Sequence, residues 1–345
     1  MPTAVAGILL GLLAGALNGS YALPFKRASK WSWENTWFVW SFITLLILPW
    51  AIALTTVPDL MSAYANAGTR AVALVFIFGL LWGYGIVAIG QAIYAVGISL
   101  AFAIGMGLSI GLGSLIPMLS KPYVFGTSGG LTVTAGVVVL LVGIATCAKA
   151  GGAKEARLAK VEGKKTEAAV ARPSFARGLL LCILAGIFTS MINLAFNFGT
   201  GVMNAAKAIG ASAGAASDAI WALVMLGGFI ANAAYSAVKL QQNRTWPAYR
   251  AEGTGTYWLM VAISGCLLMF SVTIYGRAAL MMGKLGGSAG WAIFMATCVV
   301  VSNLWGIITG EWKQAKGGPL NTMFGGIAII IAAIAVIGYG SSLMP

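Results

Sequence analysis

Apolar residues in this chain fall in long unbroken runs, separated by short polar stretches. A helix needs about 20 apolar residues to cross the hydrocarbon core of a bilayer. Ten runs qualify: 4–24, 36–57, 71–91, 98–118, 131–149, 178–198, 214–238, 257–279, 288–309 and 321–342. Barrel strands would read instead as alternating segments of about ten residues. In lipid the backbone must satisfy its own hydrogen bonds, and continuous runs of this length do so as helices. The pattern therefore predicts an all-α integral membrane protein with ten transmembrane helices. The first run has no basic residue before it, and Lys26, Arg27 and Lys30 follow it. That order predicts a membrane helix and not a cleaved signal peptide.

Composition agrees. Of 345 residues, 59% are hydrophobic and 8% charged, against about 25% charged in a soluble domain. The 46 glycines lie largely inside apolar runs, where small residues let helix backbones approach. Cys147, Cys182, Cys266 and Cys298 also lie in apolar runs, without metal-ligand spacing, and read as buried free thiols. With no histidine in the chain, histidine-ligated metal sites and His-dependent nucleophilic catalysis are excluded. No P-loop occurs, which argues against ATP-driven pumping by this chain, and no cofactor or metal is expected.

The net charge of +13 points to topology and not to nucleic acid, because the basic residues sit between the apolar runs. Of the 21 Lys and Arg, 16 follow helices one, three, five, seven and nine. By the positive-inside rule those loops are cytoplasmic and both termini lie outside. The longest polar stretch, about 149–177, reads as a solvated basic linker. It divides the chain into a first five-helix unit (1–149), the linker (150–177) and a second five-helix unit (178–345). Residues 7–25 align without gaps on 178–196, with Gly7/Gly178, Ala14/Ala185, Gly15/Gly186 and Phe25/Phe196 among the identities. An odd number of helices per half makes related halves inverted repeats, an architecture of alternating access with a midplane site.

Polar side chains inside apolar runs are costly and tend to be functional. The substrate-binding candidates are Asn18, Tyr21, Trp82, Tyr84, Gln91, Tyr94, Asn193, Asn197, Tyr275 and Asn303. Further polar or aromatic residues of this kind are Asn232, Trp291 and Trp305. Amides that donate and accept, beside flat aromatic faces, suit a neutral polyhydroxylated solute. The other reading is that each amide bonds a neighbouring helix. None of the eight carboxylates falls mid-run. The proton-coupling candidates are Asp218, early in helix seven, and Glu34 and Glu311, near the ends of helices two and nine. For Asp218 an N-cap is the alternative; for Glu34 and Glu311 it is ion pairing with nearby Lys or Arg. Gly105, Gly107, Gly111 and Gly113 read as a close-packed helix four, not a phosphate cradle. Trp31, Trp33, Trp37 and Trp40 read as an interfacial anchor at headgroup level.

The segment YALPFKRASKWSWENTW at 21–37 closely resembles the first cytoplasmic loop of the L-rhamnose–proton symporter family, within the drug/metabolite transporter superfamily. GEWKQAKGGP at 310–319 and ILPWAI at 47–52 are also similar to that family. The resemblance runs end to end. It implies a bacterial inner-membrane sugar carrier of five plus five helices, with attention on Lys26, Trp31, Trp33, Glu34, Glu311 and Trp312. The leading expectation is uptake of a monosaccharide, L-rhamnose or a related sugar, by proton symport. The alternatives are a carrier for another small polar metabolite, with different or no ion coupling, a lipid-acting membrane enzyme, or a non-transporting sensor. The enzyme would need clustered nucleophiles or carboxylates, which the sequence does not offer.

Overall fold

The computed structural model describes residues 2–27, 30–161 and 175–343. The part of the basic linker at 162–174 lies outside the described residues, as does the side chain of Lys26. Ten helices are long and apolar enough to cross a membrane: Thr3–Phe25, Trp33–Thr56, Thr69–Val96, Leu100–Leu119, Ser128–Leu158, Phe175–Ala208, Ala213–Asn243, Gly255–Met281, Gly283–Ile308 and Gly318–Ser342. They are called helices one to ten below. Each overlaps one predicted run.

The differences are at the ends. Helix five continues to Val161, so the first part of the basic linker is helical. Its Lys154 and Arg157 grip the loop after helix nine: Lys154 reaches Glu311 at 3.4 Å, and Arg157 donates to the Lys316 carbonyl at 2.6 Å. Two short helices, Leu60–Ala67 and Thr200–Ala208, form where no membrane run was predicted, and they pack on each other. Helix three stops at Gly97, whose φ of +86° is open to glycine and strained for other residues.

Helix one packs on helices eight and nine; helix six packs on helices three and four. Helix five packs on helix ten, helix two on helix seven, and helix three on helix seven. Helix seven is the most enclosed of the ten. Glycine makes these approaches possible. A Cβ on Gly15 would stand 2.5 Å from the Phe294 carbonyl oxygen of helix nine. A Cβ on Gly83 of helix three would stand 2.8 Å from the Cα of Gly228 in helix seven. Gly7, Gly11, Gly15 and Gly19 recur every fourth residue along helix one and all face helices eight and nine. Without a hydrophobic force between helices in lipid, such close van der Waals contact is the main cohesion.

Two helices carry a π-type turn, at Phe42–Ile47 in helix two and Gly286–Gly290 at the start of helix nine. Such turns break the regular ladder and recur at functional sites.

Candidate functional site

The structure gathers Asn193, Asn197 and Tyr275 into one buried network. The Asn193 amide donates to the Gly113 carbonyl of helix four at 2.7 Å and to the Gly287 carbonyl of helix nine at 2.8 Å. Its oxygen accepts from the Tyr275 hydroxyl of helix eight. Asn197, one turn on, donates to the Asn193 carbonyl at 2.8 Å. Gly287 belongs to the irregular first turn of helix nine, whose loosened carbonyl accepts these bonds. Around the network stack Phe196, Trp221, Tyr275, Trp291 and Phe294, with centroids 4.9–6.1 Å apart. A cavity of about 40 Å³ borders Asn197, lined also by Ser120, Lys121, Lys284 and Ser288.

Asn18 and Tyr21 form a second group on helix one. Asn18 donates to Ser271 at 3.0 Å and accepts from the Cys298 thiol at 3.2 Å. Tyr21 lies against Phe25 and Trp40. Trp82 is buried against Gly228 of helix seven. Four other candidates are not brought in. Tyr84 and Tyr94 are 53% and 57% exposed, and Gln91 is exposed with them on helix three. Gly79, Gly83 and Gly85 turn the other side of that helix to helices six and seven. Asn303 donates only to the Val299 carbonyl of its own helix, at 2.8 Å.

The anchor reading of the tryptophans needs correction. Trp33 is exposed, but Trp31 and Trp40 are buried. Trp31 packs edge-on against Tyr249, Tyr257 and Trp258, and its indole donates to the Ala248 carbonyl at 3.1 Å. Trp37 stacks on Trp40 at 4.5 Å and donates to Asn232 at 3.0 Å. The turn made by Ser32, whose hydroxyl bonds Asn35, swings this segment inward against the second half of the chain. Phe25, Trp31, Trp33, Thr36 and Trp37 then line a cavity of about 220 Å³.

Glu34 sits within that segment, only 6% exposed. It accepts from Asn243 at 2.9 Å and Thr245 at 3.0 Å, both at the end of helix seven. The nearby Tyr249 hydroxyl donates to the Asn35 carbonyl at 3.0 Å. Burial pushes that hydroxyl up to about 12, so it stays protonated. Among the described residues no cation pairs with Glu34.

Asp218 differs. It is 1% exposed and held by Arg277 of helix eight through two bonds, at 3.2 and 2.9 Å. Thr56 donates to it at 3.0 Å. It is not the cap of helix seven: Ser212 is, accepting from the Ala215 amide at 3.2 Å. Glu311 is 45% exposed and paired with Lys154, whose ammonium also lies 4.9 Å over the Trp312 ring. Asn243, Thr245, Thr56, Arg277, Tyr64 and Tyr249 were not singled out in the sequence. They lie at helix ends or in loops, where polar residues are ordinary and carry no signal.

A ten-helix bundle whose interior pairs amides, hydroxyls and indoles between helices, and whose buried acids lie at helix ends, defines a polytopic α-helical membrane protein. The particular family follows from comparison. A sequence model of the L-rhamnose-proton symport protein (RhaT) matches residues 1–343, and the chain belongs to that family. The L-rhamnose-proton symporter of Klebsiella pneumoniae strain 342 is 27% identical over 343 residues, covering 97% of each chain. That of Cronobacter sakazakii is also 27% identical over 343 residues. That of Yersinia pestis strain Pestoides F is 26% identical over 345 residues, covering 97% of this chain and 98% of the relative.

Proposed function

We propose that the protein imports L-rhamnose or a closely related neutral monosaccharide across the bacterial inner membrane by proton symport. The whole-length match to L-rhamnose-proton symport proteins carries this reading. The interior supports it. The polar groups at Asn18, Asn193 and Tyr275 are neutral amides and hydroxyls beside aromatic rings, which can bond sugar hydroxyls and cover sugar C–H faces. The cavity at Phe25, Trp31, Trp33, Thr36 and Trp37 is the proposed mouth for the sugar, with Tyr21 and Asn18 next inward on helix one.

The same reading treats 1–149 and 178–345 as inverted repeats. Exchanging each helix with the one five places on turns the contacts of helix one with eight and nine into those of helix six with three and four. It turns the pairs two–seven and five–ten into themselves. Linked inverted halves are the architecture of alternating access. The bias of Lys and Arg to the odd loops puts the Glu34 end of the bundle in the cytoplasm and both termini in the periplasm.

For the proton we favour Glu34 over Asp218 and Glu311. Asp218 and Glu311 have basic partners, Arg277 and Lys154. Glu34 faces Asn243 and Thr245 of helix seven and Tyr249 beyond it, and all three are uncharged at neutral pH. Among the described residues Glu34 is the buried acid without a basic partner, and a membrane-embedded acid without a countercharge is a candidate for a proton relay.

Uptake of labelled L-rhamnose into membrane vesicles, with and without an imposed pH gradient, tests the proposal. Uptake that ignores the gradient would leave facilitated diffusion and remove the proton. Glu34→Gln should abolish accumulation against a gradient while sparing sugar exchange at equal concentrations. Loss of both alike would assign Glu34 to folding or sugar binding.

A further inference from the structure

Helices two and seven lie side by side, one from each half, and two bonded clusters pin them at opposite ends. At one end, Glu34 near the start of helix two accepts from Thr245, just past the end of helix seven, at 3.0 Å. Tyr249, further along the same segment, donates to the carbonyl of Asn35, the residue after Glu34, at 3.0 Å. At the other end, Asp218 near the start of helix seven accepts from Thr56, the last residue of helix two, at 3.0 Å. Tyr64, further along that segment, donates to the carbonyl of Ala219, the residue after Asp218, at 2.9 Å. The two clusters share three parts: a carboxylate early in one helix, a threonine at the end of the other, and a tyrosine hydroxyl on the next carbonyl; they differ in the fourth, Asn243 on Glu34 and Arg277 on Asp218. Burial raises both tyrosine hydroxyls, which keeps them donors.

The matching is not a consequence of packing. The same side-chain types reach the same bonds from different spacings: Tyr249 is four residues beyond Thr245, and Tyr64 eight beyond Thr56. The clusters are some 25 residues apart along helix seven, which is about 37 Å at 1.5 Å per residue. They therefore close the two faces of the membrane between the same pair of helices. Both are formed here, so at this seam the bundle is shut on both sides.

We propose that these two clasps are the gates of the transport cycle. Thr245 and Tyr249 are positioning residues of one gate, Thr56 and Tyr64 of the other, and the two open in alternation. The inference rests on the transporter reading above. A tilt of helix two against helix seven about the middle of this seam separates them at one end and presses them together at the other. Release of either clasp should then tighten the opposite one.

Hydrogen exchange by mass spectrometry on the full-length protein in nanodiscs, without sugar, tests this. Tyr249→Phe removes one bond of the Glu34 clasp and should raise exchange in peptides covering 33–37 and 243–250 by about three- to tenfold. The same variant should lower exchange in peptides covering 56–65 and 216–221. Tyr64→Phe should give the mirror pattern. Tyr339→Phe, on the exposed face of helix ten, controls for the loss of any tyrosine hydroxyl. A rise at the mutated end with no protection at the other, or a rise at both, overturns the proposal. Those are the results of a bond that only holds structure. If a tyrosine variant fails to fold, Thr245→Val and Thr56→Val put the same question to the same clasps. Sugar uptake by the unaltered protein is read separately, so failure of the gate and failure of the sugar assignment are distinguishable.

Discussion

At the scale of the residue, the same side-chain type does unlike work. Asn193 closes bonds to three other helices, four, eight and nine. Asn303 bonds its own helix one turn back. Asn193→Ala strands two carbonyls and a hydroxyl and should cost about 1–3 kcal/mol in a detergent unfolding titration. Asn303→Ala should move the midpoint little, and equal shifts would contradict the placement. Sequence picked both asparagines on the same ground, as amides in apolar runs, and had no means to rank them. An amide's partners depend on what crosses the helix at that height, which local sequence does not encode. The acids were legible as a set because there are only eight. Their division was not, because Arg277 lies 59 residues beyond Asp218 and reads as an ordinary loop cation.

At the scale of the element, hydropathy predicts all ten membrane-length helices found among the described residues, because the cost of unsatisfied backbone in lipid leaves no other solution. It missed what lies in the polar margins. The short helices Leu60–Ala67 and Thr200–Ala208 carry no membrane-length run, and the apolar run of helix five ends at its first lysine although the helix continues. Charge ends a membrane run but does not end a helix. Glycine was read as a packing residue in general; the structure shows which pairs touch. Gly83 meets Gly228 where helix three crosses helix seven. Gly83→Leu should force those helices apart, lowering thermal stability by about 1–3 kcal/mol or preventing assembly. Leucine at Gly90, beside which nothing lies within 4 Å, should be tolerated. Size-exclusion profiles and melting curves of the two variants give the comparison.

At the scale of the whole molecule, the charge bias and the paired packing of the halves make one claim about sidedness. A cysteine introduced at exposed Ala251, beside the Glu34 end, should react with an impermeant maleimide only from the cytoplasm. One at exposed Asn66, beside the Asp218 end, should react only from the periplasm. Reversal of both would turn the protein over in the membrane. The seam between the halves has an optical consequence as well. Trp31 belongs to the first half and Trp258 to the second, and their rings stand 5.3 Å apart and nearly perpendicular. At that separation the two indole transitions couple, and the coupling falls with the cube of distance. The protein thus contains a chromophore pair between the segment before helix two and helix eight, and a change in its near-ultraviolet circular dichroism reports their separation without any added label.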